Sequence, residues 1–247
     1  MRILALDVGN SFCHGAVAED GRIVGRASWP VGEAVPDASV FGVSLEVEAA
    51  VYASVRAGGE ARIASWARKG NVPLRGVPSD IPYPIPVKQA HPERTGPDRV
   101  LCAAAALAQV GGPVLVVDAG TAVTVDRADP REGFLGGAIL PGLSLMARSL
   151  ARETSRLPFV PPGPVEDPLG RSTEEAIRAG VVWGWRGAVK EVVERLGAGW
   201  AGTLVITGGD AERLRDVFGG RGRWVPDLAL TGIALSWERA NENRTGR

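Results

Sequence analysis

Short apolar runs, each stopped by an acidic residue, glycine or proline, set the rhythm of the chain. Ile3–Leu6 runs into Asp7, and the valine-rich Val114–Val117 runs into Asp118. Apolar runs of this length read as strands buried on both faces. A glycine turn follows each aspartate, Asp7-Val8-Gly9-Asn10-Ser11 and Asp118-Ala119-Gly120-Thr121, and a second strand follows each turn. Polar turns then close the pairs, at Glu19-Asp20-Gly21 and at residues 129–133. A third strand is expected over Arg22–Ser28, and others over Ala49–Val55, Gly136–Pro141 and Thr203–Thr207.

Helical signals lie between these strands. Pro97 and Asp98 stand in the first turn of a helix expected through Val110, with Gly111-Gly112-Pro113 as its stop. A second helix is expected from Leu143 to about Ser155. Ser172 and Glu175 have capping-box spacing for a third helix reaching about Leu196. A fourth is expected from Ala211, and a last one over Leu228–Arg239, before a polar tail from Ala240 to Arg247. Proline density over residues 72–95 and 157–170 excludes helix and central strand, leaving an extended surface segment and a loop. Gly180, Gly184 and Gly187 thin one helix face, for a dimer contact or for core packing; Trp183 and Trp185 read as packing residues.

The two Asp-x-Gly devices stand 111 residues apart, close to half of the 247-residue chain. A repeat on that scale is a duplicated domain, its periods being too long for a solenoid. The expected division is 1–112 and 113–247, with a cleft between the halves that grips a polyphosphate from both sides. Glycine lets backbone N–H groups approach a phosphate, and the carboxylate can hold the accompanying cation.

Composition narrows the remaining classes. The chain is 45% hydrophobic and 23% charged, with zero formal net charge, so it has no electrostatic footprint for nucleic acid. No uncharged apolar run reaches the ~18 residues of a spanning helix. Met1 leads directly into a strand, which leaves no room for a signal peptide and points to the cytoplasm. Cys13 and Cys102 have neither zinc nor disulfide spacing and read as buried thiols. His14 and His91 have no partner at metal-ligand spacing.

No P-loop motif is present, and Gly220-Arg221-Gly222 lacks the strand and helix of a Rossmann turn. The strand–turn–strand devices, with a late Thr207-Gly208-Gly209, resemble the actin-like superfamily of sugar kinases and chaperone ATPases. More specifically, the chain resembles the type III pantothenate kinases. The residues that carry this are Asp7–Ser11, Val51–Val55, His91–Arg99, Val117–Ala122, Gly136–Gly142, Gly170–Thr173, Thr207–Gly209 and Pro226–Gly232. They span nearly the whole chain. The fold implied is α/β: two duplicated ribonuclease H-like domains, each a mixed sheet flanked by helices.

The resemblance implies ATP-dependent phosphorylation of pantothenate by a homodimer, with Mg²⁺ and a monovalent cation, potassium or ammonium. Asp98, the aspartate of Gly-x-Asp-Arg, would be the base; spacing alone favours a carboxylate complementing a helix dipole, and the flanking motif reverses that. Gly96, Pro97 and Arg99 would complete the substrate site, Arg99 pairing with the pantothenate carboxylate, and Thr173 would reach it across the dimer interface. Asp7 would direct Mg²⁺ at the phosphates, which Gly9, Asn10, Ser11, Gly120 and Thr121 contact. Asp118 would hold the monovalent cation. Several positions depart from the family pattern. Ser11 replaces a usual threonine, Arg26-Ala27-Ser28-Trp29 is the nearest match to a Trp-Arg segment, and Gln89 and His91 stand where Tyr and Asn are common. Two other readings keep the nucleotide residues: a non-catalytic nucleotide-binding regulatory protein of the same fold, and a kinase for another small alcohol.

Overall fold

The computed structural model describes residues 1–245, in two compact units. The first comprises Met1–Gly111, residues 128–135 and the chain from Asp227 onward; the second comprises Gly112–Arg127 and Gly136–Pro226. The C-terminal helix thus belongs to the first unit, although a division at 112/113 assigns it to the second.

In the first unit, β1 (Arg2–Val8), β2 (Phe12–Glu19) and β3 (Arg22–Pro30) form an antiparallel meander. After a one-turn helix α1 (Ala38–Phe41), β4 (Ala49–Ser54) pairs parallel to β1. Helix α2 (Ala61–Lys69), which the sequence did not announce, leads to a three-residue edge strand β5 (Leu74–Gly76). The sheet order is β3-β2-β1-β4-β5. β5 starts directly after Pro73, and an edge is where a proline-rich segment can still pair. A single 3₁₀ turn, Pro92–Arg94, then precedes α3 (Pro97–Val110).

The second unit repeats this plan with β6 (Val114–Ala119), β7 (Ala122–Asp129) and β8 (Gly133–Pro141). Their two- and three-residue connections permit only antiparallel pairing. After α4 (Leu143–Glu153) and α5 (Thr173–Gly197), β9 (Thr203–Thr207) pairs parallel to β6, and β10 (Arg223–Trp224) parallel to β9. The order β8-β7-β6-β9-β10 reproduces that of the first sheet, strand for strand. This is the duplicated ribonuclease H-like plan. The last element, α6 (Leu228–Thr245), belongs to the first unit.

β1 shows why its sequence is almost continuously apolar. Ile3 and Ala5 pack with Leu101 of α3 and Ile233 of α6, while Leu4, Leu6 and Val8 pack with Phe41 and Ile63 on the other face. In the second unit, α5 turns Ile177, Val181, Trp185 and Val189 into the core. Gly180, Trp183, Gly184 and Gly187 lie on its other side at i, i+3, i+4 and i+7. A Cβ at any of those glycines would meet only open space, so their service is not core packing. Trp183, 46% exposed beneath the Arg186 guanidinium, is not a core residue either, whereas Trp185 is.

Several element ends differ from expectation for local reasons. The Ser172 hydroxyl accepts the Glu175 N–H at 3.2 Å, but the Glu175 carboxylate takes the N–H of Arg171, one residue before the cap. The helix expected from Ala211 is a chain of i→i+3 turns, tied by the ion pairs Asp210–Arg213 and Glu212–Arg215 at the same spacing. The expected polar tail is helical through Thr245, because Trp237 and Ala240 pack on the first unit's core and Asn241 caps the Trp237 carbonyl. Gly246 and Arg247 lie outside the described residues. No described helix is long and apolar enough to cross a membrane.

α3 and α6 touch backbone to backbone: a Cβ on Gly232 would collide with the Leu101 carbonyl. Gly232→Ala therefore forces the helices apart and is expected to cost about 1–3 kcal/mol, the usual penalty of overpacking a tight site. Chemical denaturation of the purified variant measures this directly, and an unchanged midpoint would contradict the close crossing.

Candidate active site

A strand buried on both faces can offer polar groups only at its ends, and in open α/β sheets ligands bind beyond the carboxyl ends. Asp7 stands near that end of β1. The turn after it is closed by the Gly9 N–H, which donates to the Phe12 carbonyl at 3.0 Å. Gly9 thus shapes the turn. Asn10 and Ser11 form the exposed tip, and Val31 N–H fastens the Ser11 carbonyl to the end of β3. Parallel to β1, β4 ends at Ser54, whose hydroxyl bonds with the backbone of Arg56. The Cys13 thiol is pushed up by burial and further by Asp7, with Arg56 opposing. Asp7 and Arg56 therefore share one electrostatic neighbourhood, and Cys13 stays a neutral thiol. Arg56 follows the Val51–Val55 motif immediately, a signal the sequence reading did not use.

His14 stands opposite Asp7 in the β1–β2 register, its Nδ1 2.7 Å from the Ser28 hydroxyl. Desolvation holds its imidazole below the usual value, with Asp227 opposing. Among the described residues no group of three or more His, Cys, Asp or Glu side chains could hold a metal ion.

The Gly96–Arg99 motif is the start of α3, with Gly96 as N-cap and Pro97 at N1. The Asp98 carboxylate folds back over this start, so a Cβ on Gly96 would lie 2.5 Å from its Oδ1. That oxygen is closed off from solvent. Tyr83 lies within its field: burial first, then the Asp98 charge, pushes the phenol up to about 12. Tyr83 is therefore a protonated hydroxyl at any physiological pH. The Arg99 guanidinium sits 5.4 Å above the ring of the fully buried Phe134. Gln89 and His91 take no comparable place. The Gln89 amide donates to the Leu135 and Lys88 carbonyls, and His91 pairs at 3.5 Å with exposed Glu93. Tyr83 and Phe134 escaped the sequence reading because neither lies in a recognisable motif.

The second unit builds its own turn from Asp118, Gly120 and Thr121. Gly120 N–H donates to the Ala122 carbonyl, again closing the turn, and Gly142 N–H donates to the Thr121 carbonyl. Thr207, at the end of β9, is the register partner of Asp118. Gly208 follows with φ +96, and a Cβ there would lie 2.5 Å from Asp118 Oδ1 and from the Ala119 carbonyl. Asp210 N–H donates to that same carbonyl at 2.9 Å. The Thr207-Gly208-Gly209 turn is thereby seated against the Asp118 carboxylate. Thr173 is exposed at the first position of α5.

Two units with one strand order, each carrying an Asp-x-Gly turn at its first strand's end, place the chain in the actin-like fold class. Solved structures agree on the fold. The activator of 2-hydroxyisocaproyl-CoA dehydratase from Clostridium difficile, with bound ADPNP, aligns over 100% of this chain and 98% of its own, at a TM-score of 0.58 and 14% identity. Component A of (R)-2-hydroxyglutaryl-CoA dehydratase from Acidaminococcus fermentans aligns over 99% of both chains at 0.57 and 14%. The sequence model of the type III pantothenate kinases matches residues 3–195. A type III pantothenate kinase of Akkermansia muciniphila is 35% identical over 211 residues, 82% of this chain and 86% of that protein. One from a Synechococcus species is 39% identical over 161 residues, 61% of this chain and 64% of that protein. The chain belongs to the type III pantothenate kinase family.

The Tyr83–Asp98 juxtaposition has a spectroscopic consequence, because the chain has only two tyrosines. In a Tyr52→Phe background, absorbance at 295 nm follows Tyr83 alone. Removing the Asp98 charge in Asp98→Asn removes one of the two causes of the raised value, so the titration should begin at lower pH. An unmoved curve would show that the Asp98 charge does not reach Tyr83.

Proposed function

We propose that the protein transfers the γ-phosphoryl group of ATP to the primary hydroxyl of pantothenate, yielding 4′-phosphopantothenate and ADP, the first step of coenzyme A synthesis. The observation that carries this is the seating of Asp98 at the start of α3 over Gly96, within the Gly-x-Asp-Arg motif of the family. A helix N-terminus favours the ionised carboxylate. Asp98 orients the hydroxyl and takes its proton as the new O–P bond forms and the bond between the γ-phosphorus and the β,γ-bridging oxygen breaks, with ADP leaving. Arg99 holds the pantothenate carboxylate through its planar fork, and Gly96 and Pro97 shape the approach.

Asn10, Ser11 and Thr121 are the phosphate contacts of this reading, and Gly9 and Gly120 shape the turns that carry them. Magnesium suits such a site, being commonly held by one or two carboxylates plus substrate phosphates. Asp7 would direct it through the phosphates. Asp118, with the backbone turn of Gly208 against its oxygen, suits a monovalent cation, potassium or ammonium. Such ions neutralise phosphate charge. A cytoplasmic location goes with ATP and pantothenate as substrates.

An assay of ADP release tests this reading. Turnover is expected only when pantothenate accompanies ATP and Mg²⁺, and it should slow when sodium replaces potassium. Asp98→Asn should retain ATP affinity while kcat falls by about 10²–10⁴. ATP binding without pantothenate-dependent turnover would indicate a regulatory protein instead, and turnover with another alcohol would indicate a different substrate.

The same reading includes a homodimer, which the open face of α5 suits. Gly180, Trp183, Gly184 and Gly187 present one large aromatic among small residues, a face that can meet its own copy about a two-fold axis. Thr173, at the start of the same helix, would then reach the partner's substrate. Sedimentation should give twice the chain mass for the parent and a single chain mass for Gly184→Glu. An unaltered dimer in that variant would move the interface elsewhere.

A further inference from the structure

The residue that lies beneath Arg99 is held more tightly than core packing alone requires. Phe134 sits in the tip of the β7–β8 hairpin, within the first unit, and is fully buried. The proline-rich segment at 86–89 clasps it. Phe134 N–H donates to the Pro86 carbonyl at 2.9 Å, and Lys88 N–H donates to the Phe134 carbonyl at 2.8 Å. The Gln89 side-chain amide then takes the carbonyl of the following residue, Leu135, at 2.7 Å. Three hydrogen bonds on two adjacent residues fix the backbone, and burial fixes the ring. The Arg99 guanidinium lies over that ring at 5.4 Å, within the range in which a cation is attracted to an aromatic face.

We propose that Phe134 is the positioning residue for Arg99, and that the Pro86–Gln89 clasp thereby sets the enzyme's preference for a substrate that carries a carboxylate. This rests on the reading of Arg99 as the carboxylate partner. A flexible guanidinium loses conformational freedom when it grips a carboxylate, and an aromatic floor that orients it beforehand removes part of that cost. Gln89 finds a role here. At a position where the family commonly has a tyrosine, its amide faces the hairpin and secures the floor. The substrate gains from it only through Arg99. A core residue with no such role would, when altered, affect every substrate alike.

The test compares pantothenate with its neutral carboxamide, in which no anion is left for Arg99 to grip. The parent enzyme is expected to prefer the acid in kcat/KM. Phe134→Leu keeps an apolar side chain but removes the aromatic face. It should lower the acid-over-amide preference by about tenfold, through a raised KM for the acid, with kcat, the KM for ATP and the amide kinetics little changed. Gln89→Leu should shift the preference in the same direction by less, and it decides the matter should Phe134→Leu fail to fold. Equal losses on acid and amide, or no shift in preference, would overturn the positioning role while leaving that of Arg99 standing. A parent enzyme without preference for the acid would remove the role of Arg99, and this inference with it.

Discussion

The first strand of each sheet is buried on both faces, and that burial decides where along it a polar group can stand. β1 is apolar on both faces because α3 and α6 cover one and the residues around Phe41 and Ile63 cover the other. β6 is likewise buried from Val114 to Val117. An unpaired carboxylate inside such a layer would cost several kcal/mol or titrate away. Asp7 and Asp118 are tolerated because each stands near the carboxyl end of its strand, where the next residues turn back. The turns differ by one residue in length, yet each uses its glycine N–H for closure. The polar groups nearest the strand ends serve the fold first, and those at the turn tips are left for a ligand.

Close backbone approach is the second constraint. Asp98 can fold over the start of α3 because Gly96 has no side chain, and Gly208 can lie against Asp118 for the same reason. In both cases a carboxylate is positioned by a neighbouring backbone that has no room for a Cβ. Such an arrangement restricts rotamers without adding a competing charge. That suits a group that must stay ionised and point one way.

How much of this could be read beforehand follows from which interactions are local. The strands β1, β2, β6 and β9 and the helix from Pro97 announce themselves, since an apolar run or a helix-start pattern is set by adjacent residues. α2 carries no cap hydrogen bond at Glu60 and has only Ile63 and Ala67 buried, so its sequence looks like a polar stretch. The helical course of residues 240–245 depends on Trp237 and Ala240 meeting the first unit's core, which no window of sequence records. Asp7, Asp98 and Asp118 were legible because they sit in short motifs. Tyr83 and Phe134 were not, for they come to Asp98 and Arg99 from 15 and 35 residues away in sequence.

That distance bears on the missing tyrosine and asparagine before Gly96. The segment they would occupy here performs a different task, since Gln89 binds a hairpin carbonyl and His91 sits exposed beside Glu93. Yet the neighbourhood of Asp98 does not lack a phenol. Tyr83 supplies one from a few residues upstream, protonated and partly buried. A side chain at Gly9 would meet the Phe12 carbonyl and one at Gly208 the Ala119 carbonyl, whereas Gly120 has ordinary room. Around Asp98, a side chain from another segment can supply a polar group that the local motif lacks, as Tyr83 does here. A site can then keep its chemistry while the motif around it changes, because what must persist is the placement of groups and not their order along the chain.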